Sequence, residues 1–366
     1  MDAASGPAQA ASSLPVGMLS AHVTRAPTPL SRLSAIGVVE TRQELARLVA
    51  PGHGWQACEV DNLDHDQGRW PAALVRPAAL VQAWLREAQT LTALETLWSQ
   101  RIASLKRAPG GWQALDDQQR VVAQAPVVVL ACAHASAALL QRSWPEMAPA
   151  AMPLRPVKGQ MSLAALETDP LAARPQRQSG VFVPAYEDAG LAPDWPTRIW
   201  AMGSTYARGE DNATLSDQAH QDNARSLAAM HPAAAERLHA DAAAGRLLGW
   251  AQVRCASLDR LPLVGAVPDW AALDIWMDNA GSRRSQRSLA DVPRLPGLYL
   301  LTALGSRGLS LAHCCAKLLA QQIDQPTTPT ASIEPDLIRA LDPARFAWKL
   351  ARRQPAPLAK AGPSKA

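Results

Sequence analysis

The chain has 366 residues, 48% of them apolar and 19% charged, with a formal net charge of +4. That balance gives room for a sizeable core in one large or two intertwined domains and excludes an extended disordered polymer. No apolar run reaches the length of a membrane span, residues 1–19 lack the basic start and apolar block of a signal peptide, and the odd set of five cysteines without a Cys-x-x-Cys pair indicates neither a disulfide framework nor a zinc site. Free thiols in a cytoplasm are the expectation.

In chain order, the first twenty or so residues are rich in Ala, Ser and Pro and read as loop. Over 30–49, Leu33, Ile36, Leu45, Leu48 and Val49 share one face of a predicted helix. Gly52, Gly54, Asp61, Asn62 and Asp64 mark loops. Pro77 opens a helix over 78–89, striped by Leu80, Val81, Trp84 and Leu85, with proline at the start where its missing N–H matters least. A strand over 101–107 turns at Gly110 and Gly111 into 112–115, and Asp116 with Asp117 turns it again. The run Val-Val-Val-Leu-Ala at 127–131 is short, continuous and β-branched, which predicts a parallel-sheet strand buried on both faces. A short helix follows His134. Strands over 157–163, 181–184 and 199–203 lack helix-length connections, so an antiparallel sheet is expected there. Helices are predicted over 217–230 and 232–244, and a buried strand over 297–302. Gly305-Ser306-Arg307-Gly308 then forms a turn into a helix over 309–323. Such a strand, glycine turn and helix offers backbone N–H groups to an anion or a carbonyl oxygen, and it also serves packing alone.

Several chemistries are excluded by motif. The chain has no G-x-x-x-x-G-K-[ST] phosphate loop, no H-E-x-x-H zinc helix and no G-x-S-x-G nucleophile elbow. The eight histidines are scattered, and lone ones such as His22 and His134 read as structural. From Asp336 onward, Arg339, Arg345, Lys349, Arg352, Arg353, Lys360 and Lys365 are opposed only by Asp336 and Asp342. That end is a solvated tail or a surface that meets phosphates.

Four segments occur in a telling order: Ala11-Ser12-Ser13-Leu14-Pro15-Val16-Gly17-Met18-Leu19; Leu154-Arg155-Pro156-Val157-Lys158-Gly159-Gln160-Met161; residues 253–269, with Asp259-Arg260-Leu261-Pro262-Leu263-Val264-Gly265 at their centre; and Leu304-Gly305-Ser306-Arg307-Gly308-Leu309. Together they resemble the D-amino-acid oxidase/glycine oxidase family of FAD enzymes. Within it they are similar to the oxidase part of bifunctional proteins that modify the tRNA wobble uridine. Asp342-Pro343-Ala344-Arg345-Phe346 fits the same pattern, and the resemblance runs from about residue 11 to residue 353.

The resemblance implies a two-domain α/β (α+β) amino-acid-oxidase-like fold. Residues 1–35, 71–150 and 251–330 would build a Rossmann-type FAD-binding domain lacking its N-terminal βαβ unit. Residues 36–70 and 151–250 would build a substrate domain with a mixed, mostly antiparallel sheet, and 331–366 a basic C-terminal tail. The implied cofactor is FAD. Ser12, Ser13, Gly17 and Met18 would lie against its ring, Ile102 beside the adenine, and Ala131, Cys132 and Ala133 along the cofactor groove. The turn Gly305, Ser306, Arg307, Gly308 and Leu309 would meet the pyrimidine edge, where a helix start stabilises charge developing on the ring.

Arg254 matches the family's carboxylate-binding arginine, a role that a guanidinium fork suits; Lys158 and Tyr206 are further pocket candidates. The implied reaction removes the carboxymethyl group from carboxymethylaminomethyl-uridine at the tRNA wobble position, giving aminomethyl-uridine and glyoxylate. The tRNA would be met through the basic C-terminal region, with a methyltransferase domain in a longer parent and no membrane or metal partner. The chain departs from the family in having no early G-x-G-x-x-G, the turn that holds the pyrophosphate. Weak or absent FAD binding and an exposed apolar sheet edge are therefore expected. The alternatives are a truncated non-catalytic remnant and an oxidase of a free amino acid of the glycine or sarcosine type.

Overall fold

A computed structural model describes residues 1–192, 195–279, 286–324 and 333–353. Its first elements are β1 (Gly17–Leu19), α1 (Pro29–Leu48), β2 (Trp55–Asn62), β3 (Gly68–Val75) and α2 (Pro77–Leu91). Then come β4 (Ser104–Ala108), β5 (Gly111–Leu115), β6 (Val121–Ala125), β7 (Val128–Leu130), α3 (Ala135–Ser143), β8 (Leu154–Ala165), β9 (Gln176–Arg177), β10 (Val181–Glu187), β11 (Arg198–Gly203) and β12 (Ala207–Arg208). The chain continues through α4 (Asp217–Met230), α5 (Pro232–Ala243), β13 (Leu248–Ser257), β14 (Leu263–Pro268), α6 (Trp270–Asp278), β15 (Arg294–Thr302), α7 (Gly308–Asp324), α8 (Pro335–Leu341) and α9 (Arg345–Arg353). The elements form two compact units. One comprises Met1–Arg101, Arg155–Ala256 and Leu304–Lys317; the other comprises Ile102–Leu154, Ser257–Ala303 and Leu318–Ala366. This division cuts the chain at other places than the domain boundaries expected from sequence: residues 1–35 and 71–101 belong with 36–70 and 155–256.

The first unit is built on a nine-stranded mixed sheet in the order β1-β3-β2-β9-β10-β11-β8-β12, with β13 also on β8. The β10–β11–β8 portion is antiparallel, while β2 and β9 run parallel. Successive side chains of a strand point to opposite faces, and β11 divides accordingly. Trp200 and Met202 pack with Phe182 against Leu227 of α4 and Ala234 and Leu238 of α5. Ile199 and Ala201 join Met161, Leu163, Val183, Tyr186 and Trp250 in a separate cluster. The helices α1 and α2 cover the β1–β3 end through Val38, Leu45, Leu80 and Ala83.

The α1 helix starts with a reciprocal cap: Ser31 N donates to Thr28 Oγ1 at 3.1 Å, and Thr28 N donates to Ser31 Oγ at 2.8 Å. At Gly37, in the middle of α1, a Cβ would overlap the Ser310 carbonyl oxygen and stand 2.9 Å from its carbon. A part-buried ion pair fixes the start of α2: Arg76 Nε donates to the buried Asp188 Oδ2 at 2.7 Å, and Tyr186 Oη adds a bond of 2.9 Å.

The second unit holds an antiparallel meander, β4-β5-β6, and a three-stranded sheet, β14-β15-β7. Trp112 is buried and its Nε1 donates to Pro296 O at 2.9 Å.

Three sequence expectations change. The run at 127–131 is not a strand covered on both faces. β7 pairs only with β15, in parallel, at the edge of its sheet, and Val127 and Val129 are 40% and 42% exposed while Leu130 is buried. Gly52, Gly54 and Asp64 lie outside the strands, but Asp61 and Asn62 end β2, which pairs with β3 over its whole length, because cross-strand pairing outweighs their weak strand propensity. The C-terminal segment, for residues 333–353, is not a solvated tail. Phe346, Ala347 and Trp348 of α9 are buried, and so is Arg345, whose Nη2 and Nε reach the Asp259 carboxylate at 2.7 and 2.8 Å. Lys360 and Lys365 lie outside the described residues. No helix of the described residues is long and apolar enough to cross a membrane.

Candidate active site

The first unit contains a cavity of about 570 Å³. Two of the sequence motifs meet there. The loop before and through β1 contributes Ser12, Gly17 and Met18, and the turn into α7 contributes Gly305, Ser306, Arg307, Gly308 and Leu309. They pack closely at Gly17, where a Cβ would stand 2.9 Å from both Leu14 Cδ2 and Leu309 Cδ1. The turn is tied down by a bridge from Leu304 to Ala256 and by Gly305 N donating to Cys255 O at 2.8 Å. Gly305 has a φ of +59°, the left-handed region that a side chain disfavours. At the start of α7, Ser310 N and Leu311 N donate to Arg307 O, which leaves the N–H groups of Gly308 and Leu309, both on the cavity wall, free of helix partners. Ser13 is not on the wall; its Oγ accepts a hydrogen bond of 2.9 Å from Trp250 Nε1, which orients that indole at the cavity.

Arg254, on β13, lies on the same wall with its guanidinium threaded past Gly159. Nη1 donates to Ser204 Oγ at 3.0 Å, and Nη2 donates to Thr205 O at 2.7 Å and to Lys158 O at 3.3 Å. Nε reaches Val157 O at 3.5 Å. The Tyr206 ring, 46% exposed and also on the wall, sits 5.3 Å from the guanidinium carbon. Among the described residues no carboxylate pairs with Arg254, and burial pulls its pKa below the ordinary guanidinium value.

Lys158 does not line the cavity. Its buried Nζ is 3.3 Å from Glu210 Oε2 and 3.2 Å from Asn212 Oδ1, so it fastens the segment after β12. Ile102, Ala131, Cys132 and Ala133 belong to the second unit, outside the set that lines the cavity.

Sequence reasoning missed several wall residues. His22 lines the cavity with its Nδ1 3.1 Å from Arg307 Nη2. Arg177 lines it from β9, and Trp84 from α2. Nothing local to His22 or Arg177 marks them. Arg177 is assembled with Asn62 and Ser20, 115 and 157 residues away in sequence.

The fold is that of flavin-dependent amino-acid and amine oxidases. Glycine oxidase from Geobacillus kaustophilus superposes with a TM-score of 0.60 at 15% identity, covering 90% of this chain and 88% of that one. Amadoriase I from Aspergillus fumigatus gives 0.59 at 9% identity, covering 93% and 82%.

Residues 69–322 match the FAD dependent oxidoreductase family, and the chain belongs to it. Among curated relatives, the tRNA 5-methylaminomethyl-2-thiouridine biosynthesis bifunctional protein MnmC of Verminephrobacter eiseniae is 32% identical, covering 94% of this chain and 59% of the relative. That of Ralstonia nicotianae is 39% identical, covering 78% and 41%. The chain thus spans less than two thirds of the length of these relatives. The family's cofactor is FAD. The wall of this cavity fits its ring: helix-start N–H groups stand beside Gly305 and Gly308, where a Cβ would meet nothing within 4 Å, so a planar group can approach the main chain.

Proposed function

We propose that the chain is an FAD-dependent oxidase acting on the CH–NH unit of carboxymethylaminomethyl-uridine at the tRNA wobble position, releasing glyoxylate and leaving aminomethyl-uridine. One observation carries the reading: a part-buried guanidinium on the cavity wall whose charge no described carboxylate balances. An uncompensated buried cation is costly. Arg254 therefore favours an anionic ligand, and a carboxylate matches its fork. The names of the curated relatives support tRNA as the carrier of that carboxylate.

Bound FAD supplies a two-electron oxidant for the C–H bond next to the amine. The chain's own part is positional. Arg254 takes the substrate carboxylate and so places the glycine-like carbon, with Ser204, Thr205 and Lys158 holding the guanidinium still. Arg307 and the first turn of α7 present positive charge and N–H donors to the cofactor's ring edge. Val16, Met161, Val183 and Trp250, which belong to the core as well as to the cavity wall, limit water around the reacting carbon. The substrate loses a hydride and a proton to give an imine. Water then adds to the C=N bond, and cleavage of the C–N bond gives glyoxylate and the primary amine. That amine is a substrate for a methyltransferase in a longer parent protein. On α9, Lys349, Arg352 and Arg353 are exposed and would meet the tRNA backbone.

The test is glyoxylate release, with mass analysis of the tRNA nucleosides, by the chain with FAD on carboxymethylaminomethyl-modified tRNA and on free glycine and sarcosine. Conversion of the tRNA nucleoside, lost on Arg254→Ala, supports the reading. Oxidation of free glycine alone would make the chain a free amino-acid oxidase, and no reaction with either substrate would make it a non-catalytic remnant.

A further inference from the structure

Besides Arg307 of the α7 turn, two guanidinium groups held by hydrogen bonds stand on the cavity wall, and one is Arg254. The other, Arg177, stands on β9, between β2 and β10. Its Nε donates to Asn62 Oδ1 at 2.9 Å, and its Nη1 donates to Ser20 Oγ at 2.6 Å and to Ala21 O at 2.9 Å. Asn62 is itself fixed, because its Nδ2 donates to His65 O and to Asp66 O. The amide oxygen must therefore face the arginine. These bonds use Nε and both N–H groups of Nη1, and Nη2 has no acceptor among the described residues.

Burial lowers the Arg177 pKa, opposed by the charge of Asp64. Asp64 is solvent-exposed and does not come within ion-pair distance of Arg177. The cation is preorganised and partly desolvated, with the two N–H groups of Nη2 left to donate, which is the state of an anion site before its ligand arrives.

Arg177 and Arg254 are separated by β10, β11 and β8, four strand steps in all. At ordinary strand spacing that is up to about 19 Å between main chains. Each is held by acceptors of its own, with none shared, so each offers an anion site of its own.

We propose that Arg177 binds a phosphate oxygen of the nucleotide whose base carries the reacting amine, while Arg254 binds the carboxylate at the far end of the substituent. This rests on the tRNA reading and deepens it. A free amino acid has one anionic group and satisfies one arginine; a modified nucleotide has two.

Calorimetric titration of the FAD-saturated full chain with uridine and with uridine 5′-monophosphate tests the phosphate site without any turnover. The monophosphate binds at least tenfold tighter than uridine, Arg177→Gln reduces that preference to less than twofold, and Arg177→Lys keeps part of it. Equal binding of the two ligands by the parent, or a preference that survives Arg177→Gln, overturns the proposal.

Should Arg177→Gln fail to fold, the parent alone decides. Its preference grows between pH 5 and 7, as the phosphate completes its second ionisation near pH ~6, and shrinks with added salt. A preference insensitive to both refutes the site. Titration with FAD and riboflavin separates the other phosphate source: loss of FAD affinity alone in Arg177→Gln would assign the arginine to the cofactor and overturn the nucleotide role. If the phosphate preference stands while modified tRNA is not oxidised, the functional reading fails and the phosphate site survives.

Discussion

Replacing Gly159 with alanine should disable Arg254 without touching it. A Cβ at position 159 would stand 2.6 Å from Arg254 Cζ, 3.1 Å from Nε and closer still to Nη2. The backbone at Gly159 is not left-handed, so the perturbation is steric and confined to the guanidinium. To make room, the group must give up its bonds to Thr205 O, Lys158 O and Ser204 Oγ. Misplacing the fork removes a charge-assisted contact with the substrate carboxylate of about 2–3 kcal/mol, which corresponds to a KM raised roughly 30- to 150-fold. The maximal rate should fall less, since the cofactor wall at Gly305–Leu309 is untouched. The assay is steady-state glyoxylate release by the FAD-loaded chain, with Arg254→Ala and the double variant Gly159→Ala/Arg254→Ala alongside. If Gly159 acts only through the guanidinium, the double variant is no worse than Arg254→Ala, and the coupling appears in the cycle. Additive losses, or an unchanged KM in Gly159→Ala, would refute the reasoning.

Three further outcomes follow from packing and charge. Gly37→Ala should destabilise by about 1–3 kcal/mol through overpacking of α1 against α7, and it should weaken FAD binding because Ser310 and its turn move; paired urea titrations and flavin fluorescence check both. Asp188→Ala leaves the part-buried Arg76 and the buried Tyr186 hydroxyl without their shared acceptor, for a loss of about 1–3 kcal/mol by denaturant unfolding; a loss under about 0.5 kcal/mol would show the pair to be dispensable. Stability should fall on acidification in two stages. Burial lowers the His220 pKa. Burial pushes the Asp188 and Asp259 carboxyls up, but it is outweighed by the sum of the opposing contacts, which are Arg76, Gly190 N and Tyr186 Oη at Asp188 and Arg345, Ser257 Oγ and Leu261 N at Asp259, and both are held below the usual range. Each depressed pKa means that the unfolded chain binds more protons. The histidine contribution is thus present above about pH 6.5 and lost below it, and the carboxylate contribution is lost below about pH 4. Urea midpoints from pH 8 to 3 that stay flat, or rise, would contradict this.

What the sequence made legible were features with local causes. Pro77 begins α2, and the helical spacing of Leu33 and Leu45 marks the buried face of α1. Antiparallel order among β8, β10 and β11 followed from the short connections. The glycine turn at Gly305 could be read because a left-handed residue before a helix leaves a glycine in the sequence. Features with distant causes were not legible. Arg345 looks like one more charge in a basic tail until Asp259, 86 residues earlier, is seen to hold it. Lys158 looks like a pocket cation until Glu210 and Asn212 fold back over it. The Val-rich run at 127–131 looks like a core strand because hydrophobicity reports what could be buried, whereas edge position decides what is.

The size of the cavity sets how recognition must be divided. At about 570 Å³ it falls within the range of small-molecule sites and far below a folded RNA. Only the reacting arm of a macromolecular substrate, with the nucleotide that bears it, can enter. Contacts deep in the cavity, at Arg254 and the α7 turn, therefore govern the chemistry and should appear in reactions of the isolated nucleoside. Contacts with the remainder must come from residues that water also reaches. Tyr206 is such a residue: it stands on the wall half exposed, with Arg254 at 5.3 Å and Arg208 at 5.7 Å from its ring. An aromatic face between two guanidinium groups suits a stacked base. On the proposed function, Tyr206→Ala should weaken binding of a modified anticodon stem-loop about 5- to 150-fold, the value of one base stack of about 1–3 kcal/mol, and Tyr206→Phe should keep most of the affinity. An equal loss in both variants would assign the effect to the hydroxyl and remove the stacking role.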